Sequence, residues 1–263
     1  MGKDFECVTS MSRSYYESTG HNMLLSFIEN WPSSINLRIY HEDNLDENIQ
    51  NLPIEYSDRY QLVDLRENEP NLIKFVNRHK NRADQQNPLE LHLGAVRFSY
   101  KTFSIFNAAE HSDADYLIWI DADTFTHSKV THSFLRTLTD PLKYLTYLGR
   151  DNNYSECGFV IYNLKHPAHS AFFDTWRHLY ESDELFKLHQ WHDSFVFDRI
   201  RDVFEKDNKV ENINLSQWGK DYDHVFINSI LGEYMDHMKG PRKNHGKSPR
   251  SDLFTHKESP YWD

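Results

Sequence analysis

The sequence predicts an α/β fold in which helices pack on a mostly parallel sheet. Segments rich in β-branched and aromatic residues alternate along the chain with segments whose apolar residues recur at helical spacing. This alternation is typical of the α/β class. Residues 116–120, YLIWI, are largely apolar and are expected to form a buried central strand. With 263 residues, of which 38% are hydrophobic, the chain is long enough for one large domain.

Each element follows from a local pattern. The predicted strands are residues 5–11, 36–43, 60–65, 116–120, 144–149, 158–163 and 209–215. The predicted helices are residues 24–31, 71–80, 94–111, 128–138, 168–180 and 193–204. Pro32 ends the first helix. The polar residues 43–88 predict an irregular region around their strand and helix, and about the last 25 residues predict an extended tail.

Composition excludes several classes of function. Lys and Arg number 29 against 40 Asp and Glu, a net charge of -11, so the broad basic surface of a nucleic-acid-binding protein is absent. The first residues lack the apolar core of a signal peptide and no apolar run is long enough to span a bilayer, which predicts a cytoplasmic protein without a transmembrane segment. Cys7 and Cys157 form no metal or redox spacing and are expected to be reduced.

Two aspartates follow the central strand directly. Asp121 and Asp123 are separated by one alanine, and residues two apart in an extended chain point the same way. Their repulsion would be relieved by a hard divalent cation, Mn²⁺ or Mg²⁺, which commonly completes its shell with substrate phosphates. The carboxyl end of a strand is also where open α/β sheets bind ligands. The alternative is that the two aspartates cap a helix or belong to an ordinary loop.

The end of the chain carries a basic cluster in an otherwise acidic protein. Its cations are Lys239, Arg242, Lys243, Lys247 and Arg250. They predict an anion site, with His237 as a metal ligand, Lys243 as a charge for phosphates and Gly240 as the turn close to the ligand. The alternative is a solvated basic tail. We therefore predict a catalytic domain at 1–236 and a basic tail, 237–263, that closes over the site.

Together these motifs resemble a known group of enzymes. LIWIDADTF at 117–125 and HMKGPRK at 237–243, which fits HxxGxxK, resemble the GT-A glycosyltransferases, most closely the retaining family 8 type of glycogenin and related galactosyltransferases. The resemblance implies that Asp121, Asp123 and His237 bind Mn²⁺ beneath the diphosphate of a nucleotide sugar, a UDP-sugar above all. It also implies that Lys243 contacts the phosphates.

The resemblance assigns further residues around the donor. In such folds the first strand and the loop after it hold the nucleotide base, and a basic residue on the helix before the D-x-D strand reaches the donor. The residues that these roles imply are Thr9, Ser10 and Tyr15 for the base, and Lys101 with its neighbour Arg97 for the donor. ECGFVIYN resembles the strand that begins N-x-G in the family, which implies that Glu156 and Gly158 lie beside the donor sugar. Glu156 is a candidate for an acceptor contact or a general base.

The sequence departs from the family at two motifs. Where family 8 members usually carry D-Q-D before a helix, this chain has Trp191 and His192, and only Asp193 matches. Asp193 would orient the donor sugar, or cap the helix that follows it. Trp191 would stack on a sugar or pack in the core. The tail also lacks the proline and tryptophan that typically follow the lysine of the motif.

The function predicted from these residues is metal-dependent transfer of a sugar to the hydroxyl of a glycan, lipid or small-molecule acceptor, and the resemblance to family 8 implies retention of configuration. The alternative is an inverting reaction, for which Glu156 or Asp193 would serve as the base. One rival is a phosphatase of the haloacid-dehalogenase type, in which Asp121 would be the nucleophile. Its motif normally opens the domain, whereas here about 120 residues precede it. Nucleotidyltransferases usually begin with a Gly-rich phosphate loop, which VTSMSRSYYESTG is not. A non-catalytic carbohydrate-binding protein on the same fold is the third alternative.

Overall fold

The sheet of the protein is mixed and mostly parallel. The computed structural model describes residues 4–43, 54–82, 94–207, 209–216 and 224–263. Its strands are β1 (Phe5–Met11), β2 (Leu37–His41), β3 (Tyr60–Asp64), β4 (Tyr116–Ile120), β5 (Thr124–Thr126), β6 (Leu145–Arg150), β7 (Asn153–Asn163), β8 (Ile213–Asn214) and β9 (Met235–His237). Seven strands form one sheet in the order β3-β2-β1-β4-β7-β6-β8. Only β7 runs antiparallel to its neighbours β4 and β6, and β5 pairs with β9 in a separate ribbon.

Helices cover both faces of this sheet. They are α1 (Arg13–Tyr15), α2 (His21–Asn30), α3 (Leu65–Asn68), α4 (Pro70–His79), α5 (Ala95–His111), α6 (His132–Thr137), α7 (His169–Glu181), α8 (Asp193–Asp207) and α9 (Val225–Asn228). Helices α4, α5, α7 and α8 pack over one face, while α2, α6 and α9 pack over the other. The predicted α/β class is therefore confirmed.

The central strand β4 shows why its sequence is apolar throughout. Leu117 and Trp119 belong to the core on one face of the sheet, and Ile118 and Ile120 belong to the core on the other. Successive side chains of a strand point to opposite faces, so a strand covered on both faces needs apolar residues at every position. This arrangement brings the chain from a fully buried strand directly to Asp121.

Most predicted elements are confirmed, with one strand much shorter than predicted. The strand expected at 209–215 is reduced to Ile213–Asn214, which pairs with β6. Residues 44–53 and 83–88 of the predicted irregular region lie outside the described residues. The two cysteines are free and buried, as expected. Among the helices that the structure describes, none combines the length and the apolar character needed to cross a membrane.

The prediction of an extended C-terminal tail is wrong. The segment forms short 3-10 helices at Gly240–His245, Arg250–Asp252 and Pro260–Trp262. The carboxylate of Asp236, which is fully buried, accepts hydrogen bonds from the backbone N–H and hydroxyl of Ser248, each at 2.7 Å, and from the Tyr261 hydroxyl at 2.8 Å. Trp262 is 2% exposed, and its indole N–H donates to the carbonyl of Gly232. These contacts fold the tail back onto the strand that contains His237.

Candidate active site

The two aspartates lie in a tight turn at the end of β4. The backbone N–H of Thr124 donates to the carbonyl of Asp121 at 3.0 Å, and Ala122 is buried between the two acids. The turn, and not an extended chain, therefore makes the two carboxylates converge. Asp121 is also fixed across the sheet, because its N–H donates to the carbonyl of Gly158 at 2.9 Å.

His237 reaches the aspartates through the small ribbon of β5 and β9. In this ribbon Thr124 is opposite His237, so the imidazole lies beside the carboxylate that precedes β5. Nε2 of His237 lies 3.0 Å from Oδ1 of Asp123 and 3.6 Å from Oδ2 of Asp121. The structure therefore brings together three side chains that are far apart in sequence.

These three residues fit a divalent metal ion. One ligand atom from each of Asp121, Asp123 and His237 lies within 4.8 Å of the others. Two carboxylate oxygens and one imidazole nitrogen suit Mn²⁺. All three side chains are largely buried, and His237 and Asp123 are only 2% and 3% exposed. The cluster is thus a group of metal-type ligands at the edge of a sheet, where ligands of α/β proteins bind.

The charges of the cluster are strongly coupled. Burial alone would lower the pKa of His237, but the carboxylates of Asp123 and Glu156 outweigh it and raise this pKa to about 10. Burial likewise opposes ionisation of Asp123, yet His237 and Lys243 hold its pKa below the ordinary value. Burial raises the pKa of Asp121. Without a metal, the imidazole is therefore protonated at neutral pH and acts as a counter-ion.

Lys101 connects the aspartate pair to Asp193. Its Nζ lies 2.8 Å from Oδ1 of Asp121, 2.8 Å from Oδ2 of Asp193 and 2.7 Å from the carbonyl of Cys157. Burial would lower the pKa of Lys101, but the two carboxylates raise it above its ordinary value. Burial opposes ionisation of Asp193, whose side chain is 14% exposed, but Lys101 holds its pKa below the usual range. The lysine from α5 and the acid that begins α8 thus belong to one ion-pair network with the D-x-D turn.

The helix cap at α8 is provided by the residue before Asp193. The backbone N–H of Phe195 donates to Nδ1 of His192 at 3.3 Å, and the N–H of Val196 donates to the carbonyl of His192. Asp193 instead directs Oδ2 to Lys101. Trp191 is 8% exposed and packs in the core, which is the second of the two roles predicted for it.

Lys243 lies against the second aspartate and the end of α1. Its Nζ is 2.9 Å from Oδ2 of Asp123, contacts the hydroxyl of Tyr15 and lies 4.5 Å from the centroid of the Tyr15 ring. Burial, together with the nearby Asp123, raises the pKa of Tyr15. Gly240 has φ +63°, a conformation that favours glycine, and it turns the chain between His237 and Lys243.

A cavity of about 170 Å³ opens beside the aspartate pair. Six residues assigned from the sequence line it, namely Ser10, Tyr15, Arg97, Lys101, Asp121 and Asp123. Arg97 is exposed at its rim. Thr9 is fully buried in β1, and its hydroxyl has no hydrogen-bond partner among the described residues. Of the residues assigned to donor binding, the cavity thus gathers Ser10, Tyr15, Arg97 and Lys101, but not Thr9, Gly240 or Lys243.

Most of the basic cluster is paired with acids or carbonyls. Arg242 lies 2.6 Å from Asp252, Lys243 contacts Asp123, and Lys247 donates to the carbonyl of Tyr261. These pairs were not visible in the composition of the tail, which suggested five solvated or anion-binding cations. The local charge available to an anion is therefore smaller than the sequence indicates.

Sequence reasoning missed several residues of the site. Trp119 donates its indole N–H to Oδ1 of Asp121 at 2.6 Å, and its place two residues before this acid was the available signal. Glu42 lines the cavity, accepts from the hydroxyl of Ser10, and burial raises its pKa to about 7. Arg150, at the end of β6, lies 2.6 Å from Glu156. No sequence pattern marked Glu42 or Arg150.

Comparison with solved structures identifies the fold. The bifunctional glycosyltransferase WbbM matches with a TM-score of 0.55 and 13% identity over 100% of this chain and 51% of its own. An active-site mutant of LgtC, a GT-A protein of the family 8 type, matches with a TM-score of 0.51 and 13% identity over 96% of this chain and 98% of its own. Mouse xyloside xylosyltransferase 1 matches with a TM-score of 0.50 and 13% identity over 80% of this chain and 84% of its own.

The chain has the GT-A glycosyltransferase fold. The predicted resemblance to these proteins is confirmed at the level of the fold. The chain spans only about half the length of WbbM. No protein-family model and no curated protein sequence matches it.

Proposed function

We propose that this protein is a glycosyltransferase that moves a sugar from a UDP-sugar to a hydroxyl group of a glycan, lipid or small-molecule acceptor. In this proposal Asp121, Asp123 and His237 hold Mn²⁺, or Mg²⁺ in its place, beneath the diphosphate of the donor. The observation that carries the proposal is the convergence of these three ligands beside a cavity on the GT-A fold. An ordinary loop would not need a buried histidine between two aspartates.

Different residues around the cavity would bind different parts of the donor. A bound divalent ion would stabilise the charge that develops on the leaving diphosphate. Lys243 provides a second cation on the same side, since it already contacts Asp123 and Tyr15. Asp193 and Lys101 form a paired, buried unit that would orient the sugar. Ser10, Tyr15 and Arg97 border the same cavity and would contact the nucleoside.

The pairing of the two candidate bases, Asp193 and Glu156, argues against an inverting reaction that uses either of them and favours retention of configuration. An inverting transferase needs a general base that accepts the proton of the attacking hydroxyl. Lys101 pairs with Asp193, whereas Arg150 and Lys239 pair with Glu156. Burial opposes ionisation of both acids, but these cations hold the pKa of each acid low. Neither acid is therefore a good base. In a retaining reaction a leaving phosphate oxygen would accept that proton, and no protein base is needed.

The test is release of a nucleoside diphosphate from a panel of nucleotide sugars, with water in place of the acceptor. We expect slow release of UDP from one UDP-sugar in Mn²⁺, and none in EDTA or in Asp121→Asn and Asp123→Asn. Asp115→Asn is the matched control, because Asp115 is exposed just before β4, at the opposite end of the strand from Asp121. This control is expected to retain the wild-type rate.

Three results would contradict the proposal. UDP release in EDTA at the same rate as in Mn²⁺ would show that the reaction needs no metal ion. Release of inorganic phosphate from simple phosphomonoesters, with every nucleotide sugar left intact, would favour the phosphatase alternative, in which Asp121 is the nucleophile. Binding of sugars without cleavage of any nucleotide sugar would favour a carbohydrate-binding protein.

A further inference from the structure

We infer that Glu156 is a positioning residue of the metal site, which holds the imidazole of His237 so that Nε2 faces the two aspartates. This inference rests on the proposed metal site, but it assigns Glu156 a role other than the predicted acceptor contact or general base. It follows from the arrangement of both nitrogens of one buried ring. It also follows from the glycine against which that ring packs.

The two nitrogens of His237 face different carboxylates. Nε2 lies 3.0 Å from Asp123 and 3.6 Å from Asp121. Nδ1, on the other side of the ring, lies 3.3 Å from Oε1 of Glu156, slightly longer than an ideal hydrogen bond. Nδ1 is buried, and its contact with Glu156 is an ion pair without hydrogen-bond geometry. Glu156 is the carboxylate that lies beside this nitrogen.

This geometry selects one tautomer of the imidazole. A neutral imidazole that binds a metal through Nε2 carries its only N–H proton on Nδ1. A carboxylate beside Nδ1 favours this tautomer, fixes the orientation of the ring and makes the ligand nitrogen more basic. Glu156 has the position and the charge for this role.

Glu156 is itself held firmly from three sides. Its Oε2 lies 2.6 Å from Nη2 of Arg150 and also contacts Nζ of Lys239, while Oε1 accepts from the backbone N–H of Gly158 at 3.2 Å. The residue is 4% exposed. An acid that is buried and paired in this way is poorly placed to reach an acceptor sugar, but well placed to fix a neighbouring ring.

Gly158 provides an independent sign that the ring position is built into the fold. A Cβ atom at Gly158 would lie 2.5 Å from Cε1 and 2.6 Å from Nδ1 of His237. These distances are shorter than real Cβ contacts, so the imidazole occupies the space that a side chain would fill. The backbone of β7 thus packs against the ring, and Glu156 from the same strand orients it.

The test is the affinity for Mn²⁺ alone, measured by isothermal titration calorimetry without any sugar nucleotide. We expect Glu156→Gln to weaken binding by about 10- to 100-fold, the usual effect of losing a carboxylate behind a metal-binding histidine. Glu69→Gln is the matched control, because Glu69 is also 4% exposed and paired with an arginine, Arg177. This control is expected to bind Mn²⁺ like the wild type.

A double-mutant cycle separates positioning from a general loss of structure. If Glu156 acts through the imidazole, Glu156→Gln has little further effect on Mn²⁺ affinity once His237→Ala is present. If Glu156→Gln lowers Mn²⁺ affinity equally in the wild-type and the His237→Ala background, the inference is overturned. It is also overturned if Glu156→Gln binds Mn²⁺ like the wild type while Asp123→Asn no longer binds it. Wild-type Mn²⁺ affinity of both Asp121→Asn and Asp123→Asn would instead remove the proposed metal site itself.

A second measurement needs no substitution at Glu156. In protein labelled with ¹⁵N-histidine and saturated with diamagnetic Mg²⁺, long-range ¹H–¹⁵N spectra report which ring nitrogen carries the proton, and His237→Gln identifies the signal. We expect a proton on Nδ1 only. A proton on Nε2 in the loaded protein would overturn the inference.

Discussion

Binding of Mn²⁺ is expected to release a proton from His237, and its affinity is expected to rise steeply with pH. In the metal-free protein the carboxylates of Asp123 and Glu156 outweigh burial and raise the pKa of this imidazole to about 10. At about pH 7 the imidazole is then neutral in only about one molecule in a thousand. A metal ligand must be deprotonated. At about pH 7 the apparent association constant for Mn²⁺ is therefore about a thousandfold below that of the protein with a neutral imidazole, and it rises about tenfold per pH unit.

The assay is calorimetric titration of the metal-free protein with Mn²⁺ in buffers of different ionisation enthalpy. The slope of the observed enthalpy against the buffer enthalpy gives the number of protons released, which we expect to be about one at about pH 7.5. The His237→Gln variant is the control, since it keeps both aspartates but has no imidazole proton to lose. Its weaker binding of Mn²⁺ is expected to show little dependence on pH over the same range.

The reasoning fails if the dissociation constant of the wild type is constant from about pH 6.5 to about pH 8.5, where the linkage predicts a change of about a hundredfold. It also fails if His237→Gln releases the same number of protons as the wild type. The first result would show that the imidazole is already neutral in the metal-free protein. The second would place the proton on another group.

The same pKa also determines how pH changes the stability of the metal-free protein. The folded-state pKa of His237 lies above the ordinary histidine value of 6.5, so the ion pairs of the imidazole contribute fully to stability below pH 6.5. Their contribution is lost as the pH rises through about 10. Thermal unfolding in EDTA is therefore expected at a lower temperature at about pH 9.5 than at about pH 6.5, with a smaller difference in His237→Gln.

Three further substitutions test the surroundings of the site. Asp236→Asn weakens the charge-assisted hydrogen bonds that hold the tail at Ser248, each worth about 1.5–3 kcal/mol. Limited proteolysis is therefore expected to cut the tail faster than in the wild type. An unchanged rate of cleavage would mean that other contacts hold the tail. Gly158→Ala places a Cβ atom against the ring of His237 and forces the ring to move. It is expected to cost about 1–3 kcal/mol of unfolding free energy and to weaken Mn²⁺ binding. An unchanged dissociation constant for Mn²⁺ would show that the ring adapts. Lys101→Met removes the cation that lies beside both Asp121 and Asp193 and is expected to cost about 1–3 kcal/mol of unfolding free energy. An unchanged urea midpoint would contradict this.

The strand and the aspartate pair could be predicted from sequence because their causes are local. Five apolar residues in a row indicate a strand buried on both faces, and Asp121 begins where that strand ends. His237 was assigned only through its motif, because its position depends on the pairing of Thr124 with His237 across more than a hundred residues. No local pattern encodes that pairing.

The extended tail was predicted wrongly because it was inferred from the Pro, Gly, Lys and His content of the segment, without the partners of these residues. Its lysines and arginines predicted an anion site, with a solvated tail as the alternative, but Lys239 pairs with Glu156, and Arg242 pairs with Asp252. Composition gives the number of charges in a segment, whereas the fold determines whether an acid from another element lies beside each of them. The same reason explains why Arg150 escaped notice.

The metal-free site keeps its acids together by surrounding them with cations. Two aspartates in one buried turn would repel each other, yet here Lys101, His237 and Lys243 each lie within 3.0 Å of a carboxylate oxygen of the pair. In the proposed metal-bound state, a divalent ion would replace the proton of His237 and add positive charge at this point, which would weaken the hold of Asp123 on Lys243. The lysine would then be less strongly bound to the acid and more available to a phosphate. Lys243, one of the three cations that stabilise the turn in the metal-free state, is thus also the group proposed to contact the diphosphate of the donor.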